Sequence, residues 1–138
     1  MLIKKIEHIA IAVRNLDEAI KLYENIFGLK CYLIEEVNEQ KVKTAFFKIG
    51  EVKIELLEST GTGGPVEKFI EKRGEGIHHI AFAVDDVNSS LKELEANGIQ
   101  LIDKSKRAGA EEFDIAFINP KSTHGVLTEL CEKKSTGK

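Results

Sequence analysis

Two imidazoles and two carboxylates recur at matching places in a duplicated chain, and such a donor set suits a divalent metal ion. Residues 6–13 read Ile6-Glu7-His8-Ile9-Ala10-Ile11-Ala12-Val13, and residues 77–84 read Ile77-His78-His79-Ile80-Ala81-Phe82-Ala83-Val84. Each copy closes on a second shared phrase, Glu55-Leu56-Leu57-Glu58 and Glu129-Leu130-Cys131-Glu132. A single histidine in a strand is ordinarily a core residue with a satisfied hydrogen bond. Repetition in register changes that reading, and His8, Glu55, His79 and Glu129 are expected to form one four-ligand site between the halves. Glu55 and Glu129 lie in apolar runs, where a carboxylate must be paired or metal-bound. Nitrogen and oxygen donors favour a borderline or hard divalent ion with positions left open for water or substrate. With no thiolate in the set, a structural cysteine-type zinc site is not expected.

The elements that must position these groups follow from periodicity. Residues 3–13 alternate and are β-branched, so they read as a strand. Alternation places Ala10 and Ala12 on the face of His8, and Ala81 and Ala83 on the face of His79. The bulky Ile9, Ile11 and Val13, like Ile80, Phe82 and Val84, face the other way, toward the helices. The alanine-lined face is expected to leave room for a substrate. Asn15 is a helix cap with Glu18 completing the capping-box pattern. Leu16, Ile20, Tyr23 and Phe27 follow at helical spacing, with Gly28 as the stop. Strands are expected at 30–36, 42–49 and 52–58. In the second copy Asp86 is the cap, Val87, Leu91 and Leu94 form the helical stripe, and Asn97-Gly98 ends it. Strands are expected at 99–103, 113–118 and 125–131. Pro65 to Gly74 predicts a short connecting helix.

The chain thus divides into a first βαβββ module at 1–60, a connection at 61–75, a second module at 76–132 and a polar tail at 133–138, within one domain. The fold class is α+β. A chain of 138 residues is long enough for one real core. Its 20 basic residues are dispersed among 23 acidic ones, which argues against a nucleic-acid surface. Apolar runs are strand-sized, so neither a membrane span nor a signal peptide is expected. Two cysteines, Cys31 and Cys131, make no disulfide framework and point to a reducing, cytoplasmic setting. Cys131, Tyr23 and Phe27 read as packing residues, His78 as structural, and His124 as a loop residue without a role.

Five phrases resemble a known family: His8-Ile9-Ala10-Ile11-Ala12, Asn38-Glu39-Gln40-Lys41-Val42, Ile54-Glu55-Leu56-Leu57-Glu58, Gly74-Glu75-Gly76-Ile77-His78-His79, and Asn119-Pro120-Lys121-Ser122-Thr123-His124-Gly125-Val126-Leu127. Over residues 5–132 the chain resembles the vicinal-oxygen-chelate superfamily and, within it, the methylmalonyl-CoA epimerases. The resemblance implies paired βαβββ modules forming a cupped mixed sheet around a divalent metal, with cobalt, manganese, magnesium, zinc or nickel all compatible. It implies His8, Glu55, His79 and Glu129 as ligands, Glu129 also as the first acid/base, an acyl-CoA substrate and a homodimer. Some relatives have Gln at the Glu55 place. Others carry, where Thr44 stands, a Glu assigned as the second acid/base, and Thr44 is a poor proton carrier. Relatives also often have His where Asn119 stands and a glycine-rich stretch where Glu111-Glu112 stand.

The implied reaction interconverts the epimers of methylmalonyl-CoA through an enolate at C2. It needs one group to remove the C2 proton and a second to deliver one to the opposite face. For that second group the sequence leaves three choices: Thr44 through a water, Gln40, or Glu112. A metal-dependent lyase, dioxygenase or thiol transferase on the same fold is the first alternative, since fold does not fix function. A metal-free ligand-binding module is the second.

Overall fold

The computed structural model describes residues 1–134. They form β1 (Ile3–Ala12), α1 (Leu16–Asn25), β2 (Leu33–Val37), β3 (Val42–Ile49), β4 (Val52–Ser59), α2 (Pro65–Arg73), β5 (Gly76–Val84), α3 (Val87–Ala96), β6 (Arg107–Ala108), β7 (Phe113–Ile118) and β8 (Thr128–Lys133). Each copy of the repeat is one βαβββ module, and α2 joins them, so the fold is mixed α+β as expected. Contacts divide the chain into two compact units, His8–His78 on one side, and Met1–Glu7 with the chain from His79 onward on the other.

In the His8–His78 unit the strand order is β2-β3-β4-β1, with β1 parallel to β4 and the other pairs antiparallel. Gly50, at φ +60, makes the tight turn between β3 and β4. Asn15 caps α1, its side chain accepting from the Glu18 N–H at 3.0 Å. The helix lays Leu16, Ala19, Ile20 and Tyr23 on Ile11, Val13, Ala45, Phe47, Ile54 and Leu56. That is the bulky face of the strands, packed on the helix as alternation predicts.

The opposite face corrects one expectation. Ala10 and Ala12 do not line an open space; both are fully buried beneath Val66, Phe69 and Ile70 of α2, together with Val42 and Leu57. The small side chains let the connecting helix approach the sheet. Pro65 starts that helix where a missing N–H costs nothing. Behind it, a Cβ on Gly64 would stand 2.9 Å from that of Lys41. His78 packs on this helix, its ring 5.0 Å from that of Phe69, which bears out its structural reading.

The other unit has the order β5-β8-β7-β6, with β5 parallel to β8. Asp86 caps α3 through the Ser89 N–H at 2.9 Å. Val87, Leu91 and Leu94 pack on Phe82, Val84, Ala116, Ile118 and Leu130. On the opposite face Ala81, Ile115, Phe117 and Cys131 are buried with Phe113 and Leu127 around them. The first residues of β1 belong here too, because the Met1 amino group pairs with Glu93 and Lys4 with Asp85.

Several boundaries differ from expectation. The strand expected at 99–103 is reduced to a single bridge between Leu101 and Ile118, and the edge strand is Arg107–Ala108 instead. The strand expected at 30–36 starts at Leu33, and that at 125–131 starts at Thr128 after the Pro120–Ser122 turn. Phe27 is 60% exposed, so only Tyr23 of that pair is core. The tail begins later than expected, since Lys133 still pairs with Phe113. Residues 135–138 lie outside the described part.

Candidate functional site

Each histidine of the repeat meets its own module's glutamate. His8 Nδ1 lies 3.1 Å from Glu55 Oε2, and His79 Nε2 lies 3.0 Å from Glu129 Oε1. All four are buried, between 3% and 7% exposed. Register explains the match. Ala10 stands opposite Glu55 and Ala81 opposite Glu129, so each glutamate aligns with the alanine two residues beyond its histidine. Parallel pairing of the first and last strands of a module places the two donors side by side on one face.

His8 and Glu55 belong to a group whose ligand atoms lie within 4.8 Å of one another, and so do His79 and Glu129. The donor chemistry fits a divalent cation. Within each unit, a carboxylate buried in an apolar strand faces an imidazole nitrogen, and nitrogen and oxygen donors of this kind suit a borderline or hard ion.

The second glutamate of each closing phrase has a different task. Glu58 accepts from the Leu16 N–H and Glu132 from the Val87 N–H, both at 2.6 Å. Leu16 and Val87 are the first residues of α1 and α3, so each carboxylate sits on a helix N-terminus, where exposed N–H groups and the dipole favour an anion. Two residues separate this clamp from the candidate ligand on the same strand. The repeated phrase was visible in the sequence; that its second acid clamps a helix N-terminus was not.

Other neighbours escaped sequence reading. Phe46 and Phe117 stand opposite Glu55 and Glu129 on the adjoining strands. Phe117 presents its ring to His79 at 5.2 Å and 88°, and Arg107 lies 5.5 Å over the same ring. Phe117 could have been found only by pairing register. Glu7, next to His8, is 4% exposed, and a buried acid beside a histidine had drawn no role. Cys131 is fully buried and its thiol meets the Phe82 carbonyl, which bears out its packing role. Of the three choices for a second proton carrier, only Thr44 is buried, at 2%. Glu111 and Glu112 hold φ of +54 and +63, the left-handed region where glycine is at ease. His124 sits in its turn at φ +57.

Among the described residues no helix is long and apolar enough to cross a membrane. The chain is 47% identical to the uncharacterized protein YqjC of Bacillus subtilis, over 94% of this chain and 93% of that one. It is 42% identical to the mitochondrial methylmalonyl-CoA epimerase of Dictyostelium discoideum, over 95% of this chain and 80% of the relative. The structure superposes with a TM-score of 0.93 on Streptomyces coelicolor methylmalonyl-CoA epimerase in complex with 2-nitronate-propionyl-CoA, at 34% identity and 99% coverage of both chains. The latter two relatives are isomerases by reaction class. The family model of the Glyoxalase/Bleomycin resistance protein/Dioxygenase superfamily matches residues 7–117, and the chain belongs to that superfamily.

Proposed function

We propose that this protein is an isomerase that interconverts the two epimers of methylmalonyl-CoA. The observation that carries the reading is the duplicated pair, His8 with Glu55 and His79 with Glu129, buried at equivalent register positions. Similarity to epimerases over nearly the whole chain supports this reaction among those that the superfamily hosts.

In this reading His8, Glu55, His79 and Glu129 together hold one divalent ion. When bound, such an ion would supply Lewis-acid stabilisation of the negative charge that develops on the substrate. Glu129 removes the C2 proton from one face and returns it in the reverse direction. Its burial in an apolar strand keeps bulk water from competing for that proton. Phe117 holds the His79 ring edge-on, and the Glu58 and Glu132 clamps fix the strands that carry the two glutamates. By resemblance alone, the reading extends to a cytoplasmic homodimer, which sedimentation of the purified protein would test.

The experiment is elemental analysis of the purified protein combined with deuterium wash-in at C2 of methylmalonyl-CoA. A stoichiometric divalent metal with C2 exchange and epimer interconversion is the expected result. Metal without C2 exchange would point to another chemistry on the same fold. Neither metal nor exchange would leave a small-ligand-binding module.

A further inference from the structure

The epimerase reading requires a second proton carrier, and Thr44 holds the place at which the resemblance puts one in some relatives. We infer that Glu35, on the neighbouring strand, is that carrier, acting through the Thr44 hydroxyl. This inference rests on the proposed function.

Glu35 is the antiparallel register partner of Thr44. Directly opposed residues project to the same face with Cβ atoms about 4.5–5.5 Å apart, within reach of a glutamate side chain bridging to a threonine hydroxyl. Three observations identify that face as the one bearing His8 and Glu55. Thr44 is two residues from Phe46, which stands opposite Glu55. Val37, two residues from Glu35, packs with Ala10, Ala12 and Leu57 on the His8 side. Ala45 and Phe47, flanking Phe46, face α1 on the other side. Glu35 is half-buried, whereas Glu36 and Leu33 around it are exposed.

The proton accounting closes. As the C2–H bond breaks, its electron pair stays on the substrate as the enolate and its proton passes to Thr44 Oγ1. The hydroxyl's own proton passes in the same step to the Glu35 carboxylate. In reverse, the Glu35 carboxylic acid reprotonates Thr44, whose proton goes to C2. Thr44 therefore needs no unusual acidity, because it never holds a full charge.

The test measures epimer interconversion and C2 deuterium exchange, epimer by epimer, on metal-loaded wild type, Glu35→Gln, Glu36→Gln, and Glu35→Gln combined with Thr44→Glu. Glu36 faces away, opposite Lys43, and its variant serves as the wild-type-like control. Glu35→Gln should lose interconversion by about 10²–10⁴-fold, the usual worth of a general acid/base. It should still exchange the C2 hydrogen of the one epimer that Glu129 serves. Adding Thr44→Glu should restore interconversion, because it returns a carboxylate to the same face one strand nearer. Near-normal interconversion in Glu35→Gln would overturn the inference, and so would loss of both exchanges that Thr44→Glu fails to restore. Absence of C2 exchange in wild type would instead overturn the epimerase reading, and this inference with it.

Discussion

The two modules agree in their histidine, their glutamate and the clamp beside it, and differ at the edge strand and in what covers the histidine face. Glu35 stands opposite Thr44, which stands opposite Leu57; Arg107 stands opposite Ile115, which stands opposite Cys131. The same register position is thus an acid in one module and a cation in the other. The covering differs as well. On the histidine face of the first module Ala10 and Ala12 lie under α2, while that of the second carries Phe113, Ile115, Phe117 and Leu127. Among the described residues no helix packs on that second cluster. Duplication has kept the donors and released their surroundings to diverge.

The strongest way to break the comparison is to remove one histidine at a time. If both modules serve one ion, His8→Ala and His79→Ala should each abolish metal binding and activity while far-UV circular dichroism stays native. Retention of half the metal by either variant would mean two independent sites.

The glutamates should separate by role. Glu129→Gln is expected to keep metal, since an amide oxygen still coordinates, yet lose C2 exchange by about 10²–10⁴-fold. Glu55→Gln should retain most exchange at saturating metal, because its part is to hold the ion. Equal losses in the two would erase the distinction between ligand and proton carrier.

Smaller effects test the clamps. Glu58→Ala and Glu132→Ala should each destabilise by about 1–3 kcal/mol in urea titrations, the worth of a charged hydrogen bond at a helix N-terminus. They should lower metal affinity only modestly. Loss from one alone would show that the modules lean on their clamps unequally.

The least effect is expected at Lys106, whose hydrogen bond to Glu132 holds its ammonium above its ordinary value of 10.5. A raised value in the folded state means that the contribution is complete at lower pH and disappears as the amine deprotonates above that range. Lys106→Met should therefore cost a small amount of stability at neutral pH, and the difference from wild type should close at strongly alkaline pH, read as a melting temperature against pH. A large loss at neutral pH would exceed what an exposed ion pair supplies.

The sequence revealed most where a local rule and a tertiary demand coincide. Val42–Ile49 alternates between the two faces and ends at Gly50, so its strand bounds are legible in full. Asn15 and Asp86 announce their helices because capping is a short-range bond. The edge strand Arg107–Ala108 has no such pattern, since two residues carry no period, and the apolar run at 99–103 packs on α3 through Ile99 and Leu101 instead. The alanines of β1 misled for a related reason. A small residue marks close approach, yet the sequence does not say whether helix or substrate approaches. Glu35 lay hidden because its meaning depends on which residue stands across the ladder, and register is a property of two strands.

The clamps have a consequence for how the protein reaches its native state. Glu58 reaches back over 42 residues to Leu16, and Glu132 over 45 to Val87. These are long-range closures, and topologies dominated by such closures fold slowly. Loop entropy grows only with the logarithm of length, so the two modules pay nearly equal closure costs and neither has a head start. Each histidine must therefore wait for the last strand of its own module before it gains its carboxylate. Metal capture during refolding would then report the docking of β4 and β8 in their own modules.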